Sequence, residues 1–227
     1  MMINLLLADM ALAARTDVVK LGEPVALTRG DNINTSDQSA RYVYFPTGGI
    51  VSLEAASEKG QSVEVASVSR EGLVGLPAIL GDRAPSCHAV VRSAAPAIRL
   101  RATEIRTLMS DEAVRRVVLG YAGRVFEEIV QLGLCNSAHT VLERLCRWLL
   151  SARDALGSDV IRVTQSELMQ MLGVAHTAIR KAMADLELAD AIIASRGSLL
   201  IRSSSRLEST TCGCYRTLRG VHARRAS

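Results

Sequence analysis

The sequence predicts an α+β chain in three parts: a β-rich N-terminal roll, one long helix, and a smaller C-terminal unit of helices closed by a hairpin. Three observations predict it. Short runs separated by Gly, Pro, Asn and Asp fill residues 20 to 105. Apolar residues then recur at three- and four-residue steps from Val114 to Leu132. Two helical segments broken at Gly173, and two β-prone runs behind them, complete the pattern. The expected boundaries are 1–109, 110–137 and 138–227.

The strand-like runs are Val25 to Leu27, Arg41 to Phe45, Ile50 to Ala55, Ser62 to Ser67, His88 to Arg92 and Ala97 to Arg101. Turn chemistry lies between them, as in Gly30-Asp31-Asn32, Pro46-Thr47-Gly48-Gly49, Lys59-Gly60, Gly81-Asp82 and Pro85. Such spacing suits an all-β barrel or roll. Leu73 to Leu80 reads as a short helix within it, and the apolar N-terminus, Met1 to Ala14, as an amphipathic helix. Thr103 to Met109 is helical, and Ser110 is the expected N-cap of the long helix that follows. In that helix Val114, Val117, Val118, Tyr121, Val125, Ile129 and Leu132 form one stripe, which suits packing along a partner helix, with packing on its own domain as the alternative. A further helix runs from His139 to Ala155 and ends at Gly157-Ser158-Asp159, ahead of a short strand at Ile161 to Val163.

Thr164-Gln165-Ser166-Glu167 has capping-box spacing, so Thr164 and Glu167 start a helix whose apolar face is Leu168, Met171 and Leu172. Gly173 suits a left-handed stop. A second helix begins near His176 and buries Ile179, Met183 and Leu186, showing His176, Thr177, Arg180, Lys181 and Ala184 on its other face. A hairpin follows, Ala191 to Ala194 and Ser198 to Ile201, turning at Ser195-Arg196-Gly197. A capped helix, a Gly turn, a basic helix and a Gly-tipped hairpin make a winged helix-turn-helix. Double-stranded DNA is the expected partner. His176, Thr177, Arg180 and Lys181 would face the bases, and Thr164, Gln165 and Arg196 the phosphates.

Charge agrees. Residues 162 to 227 carry ten Lys and Arg against five Asp and Glu, whereas 1 to 161 carry 17 against 18. The excess of cations sits beside the helix-turn-helix, as phosphate binding requires. Apolar residues make up 48%, which excludes a disordered chain. No run reaches the ~20 apolar residues of a membrane span, and no basic leader precedes the N-terminal helix, so a cytoplasmic protein without membrane contact is expected.

This order of parts resembles the Crp/Fnr family of bacterial transcription regulators. The likeness rests on Tyr44-Phe45-Pro46-Thr47-Gly48-Gly49-Ile50-Val51-Ser52-Leu53, on Arg70-Glu71-Gly72-Leu73-Val74-Gly75, on Leu145-Cys146-Arg147-Trp148-Leu149-Leu150, and on the tail through Cys212-Gly213-Cys214-Tyr215. The resemblance implies a double-stranded β-helix like a cyclic-nucleotide-binding domain as sensor and a long helix that joins a homodimer. It also implies a roughly palindromic operator, with RNA polymerase as a further candidate partner. Cyclic-AMP-binding members carry an acidic residue in a Gly-Glu-Leu stretch and an arginine in an Arg-Ser/Thr-Ala stretch. Here the matching stretches are Gly75-Leu76-Pro77 and Cys87-His88-Ala89, and both charges are missing; Arg83 and Arg92 lie off the pattern. Gly75, Leu76, Cys87, His88 and Ala89 are the candidate effector pocket. An anionic phosphate would be desolvated there without a buried cation, which argues against cyclic AMP. The alternative reading is a ligand-binding module that acts on a protein partner.

Enzymatic chemistry is not expected. No Gly-x-Ser-x-Gly elbow, P-loop or His-Glu-x-x-His occurs. No cysteine precedes Cys87, so the N-terminal iron–sulfur cluster of Fnr-type sensors is not expected, nor is haem at His88 or His139. Cys146 reads as core. Cys212 and Cys214 form a close pair without a matching second pair, so no metal or cofactor is assigned and the effector is unknown. Arg216 and Arg219 beside that pair would favour a lowered thiol pKa and redox activity, against the plainer reading of two reduced tail cysteines.

Overall fold

The computed structural model describes residues 3–33, 41–58, 60–81 and 87–223. Lys59, Asp82, Arg83 and Pro85, named above, lie outside the described residues. The chain divides into two compact units. One comprises Met1–Glu54 and Ala66–Glu127, and the other Ala55–Val65 and Glu128–Ala223.

The first unit holds most of the roll; the end of β3 and the start of β4, within Ala55–Val65, are counted with the second. Strands β1 (Glu23–Leu27), β2 (Tyr42–Pro46) and β6 (Ala95–Arg101) form an antiparallel sheet in the order β1-β6-β2. Strands β3 (Ile50–Ala56), β4 (Ser62–Val68) and β5 (His88–Ser93) form a second, in the order β4-β3-β5. Leu27 and Ala97 from the first sheet bury against Val51, Val68, Ala89 and Val91 from the second, an aliphatic interior that follows from inward-facing alternate residues. The expected barrel or roll is therefore a roll of two three-stranded sheets. The turn at Thr47-Gly48-Gly49 requires its glycine: Gly49 has φ +68°, and a Cβ there would lie 2.5 Å from the Ser93 carbonyl oxygen.

Helices cover one side of this unit. Helix α1 (Leu5–Ala14) is capped by Asn4 and buries Leu6, Leu7 and Met10. These pack in one cluster with Val43, Phe45, Leu73 and Ile79, and with Ala102 and Ile105 of α3 (Ala102–Leu108). The short α2 (Leu76–Leu80) lies where the sequence suggests. Helix α4 (Glu112–Ala138) starts one residue later than expected from Ser110. Asp111 is its cap, accepting from the Ala113 and Val114 amides at 2.7 and 3.3 Å, because a carboxylate is the stronger acceptor at a helix start.

Most of the apolar stripe on α4 packs within the chain, the second of the two readings given above. Val114, Val118 and Tyr121 are buried in the roll's own cluster, with Val117 and Val125 packed against it. The Tyr121 hydroxyl donates to the Leu73 carbonyl at 2.9 Å. The stripe as far as Val125 therefore packs on the first unit, while Ile129 is 41% exposed and Leu132 is buried. A second apolar row is exposed on the opposite side: Leu119, Phe126, Val130 and Leu134 are 50, 67, 56 and 53% exposed.

The second unit contains α5 (Val141–Leu156), capped by a Thr140–Glu143 box, and a small sheet in the order β7-β9-β8 (Val160–Ile161, Ser198–Ile201, Ile192–Ser195). Two further helices, α8 (Ser204–Thr210) and α9 (Cys214–Ala223), were not read from the sequence. Tyr215 of α9 ties back to α5 by donating its hydroxyl to Asp154 at 2.9 Å.

Candidate DNA-binding site

Helix α6 (Gln165–Leu172) begins at the Thr164 box: the Glu167 amide donates to the Thr164 hydroxyl at 3.2 Å, and the Thr164 amide donates to the Glu167 carboxylate at 2.7 Å. Gly173, at φ +61°, ends it. Helix α7 (His176–Leu188) then buries Ile179, Ala182, Met183 and Leu186. Packing of these four onto the unit leaves the other face to water, and His176, Thr177, Arg180 and Lys181 are all exposed on it. Among the described residues no side chain caps α7, which leaves its first amides open to an anion.

The hairpin β8–β9 follows directly, turning at Gly197 with φ +80°. Arg196 sits exposed at this turn. The hairpin is tied to α7, where the Ala194 amide donates to the Glu187 carboxylate at 3.2 Å. Thr164 and Gln165 are exposed at the start of α6. The Thr164 hydroxyl is engaged at both ends by Glu167, so Gln165 has the freer side chain of the two.

The cations of this segment divide by engagement. Lys181 pairs with Asp185 at 2.9 Å, one turn along the same helix. Arg202 and Arg206 both turn to Asp190, at 3.6 and 3.3 Å. Arg180 and Arg196 make no ion pair among the described residues. Neither does Arg162, an exposed residue just ahead of α6 that was not among the sequence-predicted contacts. Its signal was present: a basic residue two positions before a helix cap.

The candidate effector residues fall into different surroundings. Gly75, at φ +102°, opens α2 against Val43, and Leu76 packs on the helical cluster. Ala89 is buried in the roll interior. His88 is exposed, with Nδ1 3.1 Å from the Asn32 side-chain nitrogen, and Cys87 is half-buried. Arg92, the nearest described arginine on the strand, is buried and paired with the buried carboxylate of Glu54. Cys146 is core, as expected, and burial pushes its thiol up to about 12.

Residues 24–112 match the family model of the cyclic nucleotide-binding domain, and residues 143–210 match that of the Crp-like helix-turn-helix domain. The two domains occur in one chain, in this order, over a fold that agrees with both. The chain belongs to the Crp/Fnr family. It is a Crp/Fnr-type, DNA-binding transcription regulator. Among solved structures it is similar to FixK2 from Bradyrhizobium japonicum (15% identity, TM-score 0.72, covering 85% of this chain and 98% of that one). It is also similar to a CRP-family transcriptional regulator from Thermus thermophilus (19%, 0.70, 82% and 95%). A third is the c-di-GMP responsive regulator CLP from Xanthomonas campestris (12%, 0.68, 86% and 99%). At these identities the likeness is one of fold. No curated protein matches the sequence.

Proposed function

We propose that this Crp/Fnr-type regulator acts as a homodimer on a roughly palindromic operator, and that its roll answers to a signal other than cyclic AMP. The single observation that carries the DNA reading is the exposed face of α7, where His176, Thr177, Arg180 and Lys181 stand on a buried row of Ile179, Ala182, Met183 and Leu186. Arg180 is the base-reading candidate, because its guanidinium is exposed and unpaired and suits a guanine edge. Thr177 suits a thymine methyl. Gln165 and Arg196, with Thr164 as a weaker contributor, hold phosphates and set the register. Such a protein works beside the chromosome, in the cytoplasm.

The dimer reading is supported by the exposed row on α4. Leu119, Gly123, Phe126, Val130, Gly133 and Ser137 follow one another at alternating steps of four and three, the spacing of a coiled-coil seam. Leu134 flanks the seam. Gly123 and Gly133 let two such helices approach closely. The reading of the roll is supported by Arg92, whose charge is taken up by Glu54 and is not held ready for a phosphate.

Selection of binding sites from random duplex DNA by the purified chain tests the proposal. Enrichment of inverted half-sites about 10 bp apart, centre to centre, is expected, with cyclic AMP leaving the affinity unchanged. Failure to enrich any sequence over the input pool would overturn the DNA reading, and a cyclic-AMP-dependent gain in affinity would overturn the reading of the roll.

A further inference from the structure

Along the sequence Cys212 and Cys214 have no second pair of ligands, and the fold supplies one. Cys135 lies in the last turn of α4, and His139 follows one helical turn later. Their ligating atoms and those of Cys212 and Cys214, from the loop into α9, all lie within 4.8 Å of one another. Cys135 is fully buried, and Cys212 and Cys214 are 5 and 4% exposed. Burial raises the Cys214 thiol, so the lowered pKa expected beside Arg216 and Arg219 is not found at Cys214.

We propose that Cys135, His139, Cys212 and Cys214 form a four-coordinate zinc site, with three thiolates and the His139 imidazole as ligands. The spacing fits one small ion. With Zn–S near 2.3 Å and Zn–N near 2.0–2.1 Å, tetrahedral geometry places sulfurs about 3.8 Å apart and sulfur about 3.6 Å from nitrogen. Cys135 Sγ is 3.6 Å from Cys212 Sγ, and Cys214 Sγ is 3.6 Å from His139 Nδ1. Soft sulfur with one imidazole selects zinc over hard cations.

The surroundings suit the charge of the loaded site. Zinc with three thiolates and a neutral imidazole carries one net negative charge. Arg144 and Arg147 are buried beside it, near enough to Cys135 to act on it electrostatically, and the Nε of each has no hydrogen-bond partner among the described residues. A buried guanidinium needs an anion, and the site provides one. Arg144 also donates to the Leu172 carbonyl at the end of α6, which links the site to the helix-turn-helix. The Gln131 amide donates to Cys214 Sγ at 3.0 Å, the kind of outer-shell bond that orients a thiolate ligand. Four closed ligands leave no position for substrate, so the site is structural: it holds the end of α4 to α9. Binding is not a redox step. Zinc enters as the dication and three thiol protons leave to solvent.

Metal analysis of the full-length protein purified under reducing conditions, without a metal-affinity tag, tests this. About one zinc per chain is expected, with three sulfurs at about 2.3 Å and one nitrogen by X-ray absorption. Replacement by cobalt(II) should give the visible bands of a tetrahedral thiolate site. Cys212→Ser and Cys214→Ser should lose most of the metal, whereas Cys146→Ala, outside the set, should keep it. If the ligand variants do not fold, the wild-type measurements decide alone. A reduced wild-type chain that carries no zinc after growth with zinc, and binds no cobalt(II), overturns the proposal. So does a Cys135–Cys212 disulfide in the native protein in place of the metal. Neither result bears on DNA binding, which is read separately by site selection.

Discussion

Single residues here are decided by what their polar atoms meet. Asn4 is 1% exposed, yet every part of its side chain is used. Its amide donates to the Pro46 and Gly72 carbonyls at 2.7 and 2.8 Å, and its oxygen accepts from the Leu7 amide at 2.8 Å. One side chain thus caps α1 and pins it to two turns of the roll. Asn4→Ala strands two buried carbonyls and uncaps a helix, and the expected loss is about 1–3 kcal/mol by urea denaturation. An unchanged unfolding midpoint would show that α1 docks through Leu6, Leu7 and Met10 alone. Nothing in the sequence around Asn4 announces this role. An Asn before an apolar run reads as an N-cap at most, because its two acceptors lie 42 and 68 residues away.

Elements are settled by which of their faces finds a partner. Helix α4 carries apolar residues on two sides, and periodicity alone reported the stronger stripe. That stripe is consumed by the roll through Val114, Val118 and Tyr121, and the Tyr121 ring fills the space beside Gly72, where a Cβ would come within 2.6 Å of its hydroxyl. The weaker row, diluted by Gly123, Gly133 and Ser137, is the one left uncovered. Phe126→Glu places a charge in the middle of that row. It should convert a dimer to a monomer by light scattering at micromolar concentration, with the circular dichroism spectrum retained, since Phe126 is already 67% exposed within one chain. Persistence of the dimer would move the interface elsewhere. A monomeric wild-type chain would remove it altogether.

For the molecule as a whole, charge distribution matters more than net charge. The formal +4 arises from the C-terminal 66 residues, while the remainder is close to neutral. Affinity for DNA should therefore fall steeply with salt, by about 0.9 in log K per phosphate neutralised for each unit of log salt. Arg196→Ala should weaken binding evenly across sequences and flatten that salt slope by about one. Arg180→Ala should instead cost about 1–3 kcal/mol at the cognate site and relax its sequence preference. Titrations of duplex binding at several salt concentrations separate the two. Equal slopes and equal sequence preference in both variants would contradict the assigned roles.

Local patterns determined most of this protein. The six strands of the roll, the Thr164–Glu167 box, the Gly173 stop and the Gly197 turn all depend on residues within a few positions of one another, so their chemistry is legible in order along the chain. The face proposed to meet the bases is equally local, because one helix presents it. The tertiary structure decided what depends on distant residues meeting. It chose Asp111 over Ser110 as a cap and packed the first part of the α4 stripe, Val114 to Val125, on the roll. It also brought Cys135 and His139 to Cys212 and Cys214, 73 or more residues further on. A metal-ligand set split between a helix end and a late loop has no spacing to read, since only the packing of α9 brings its halves together.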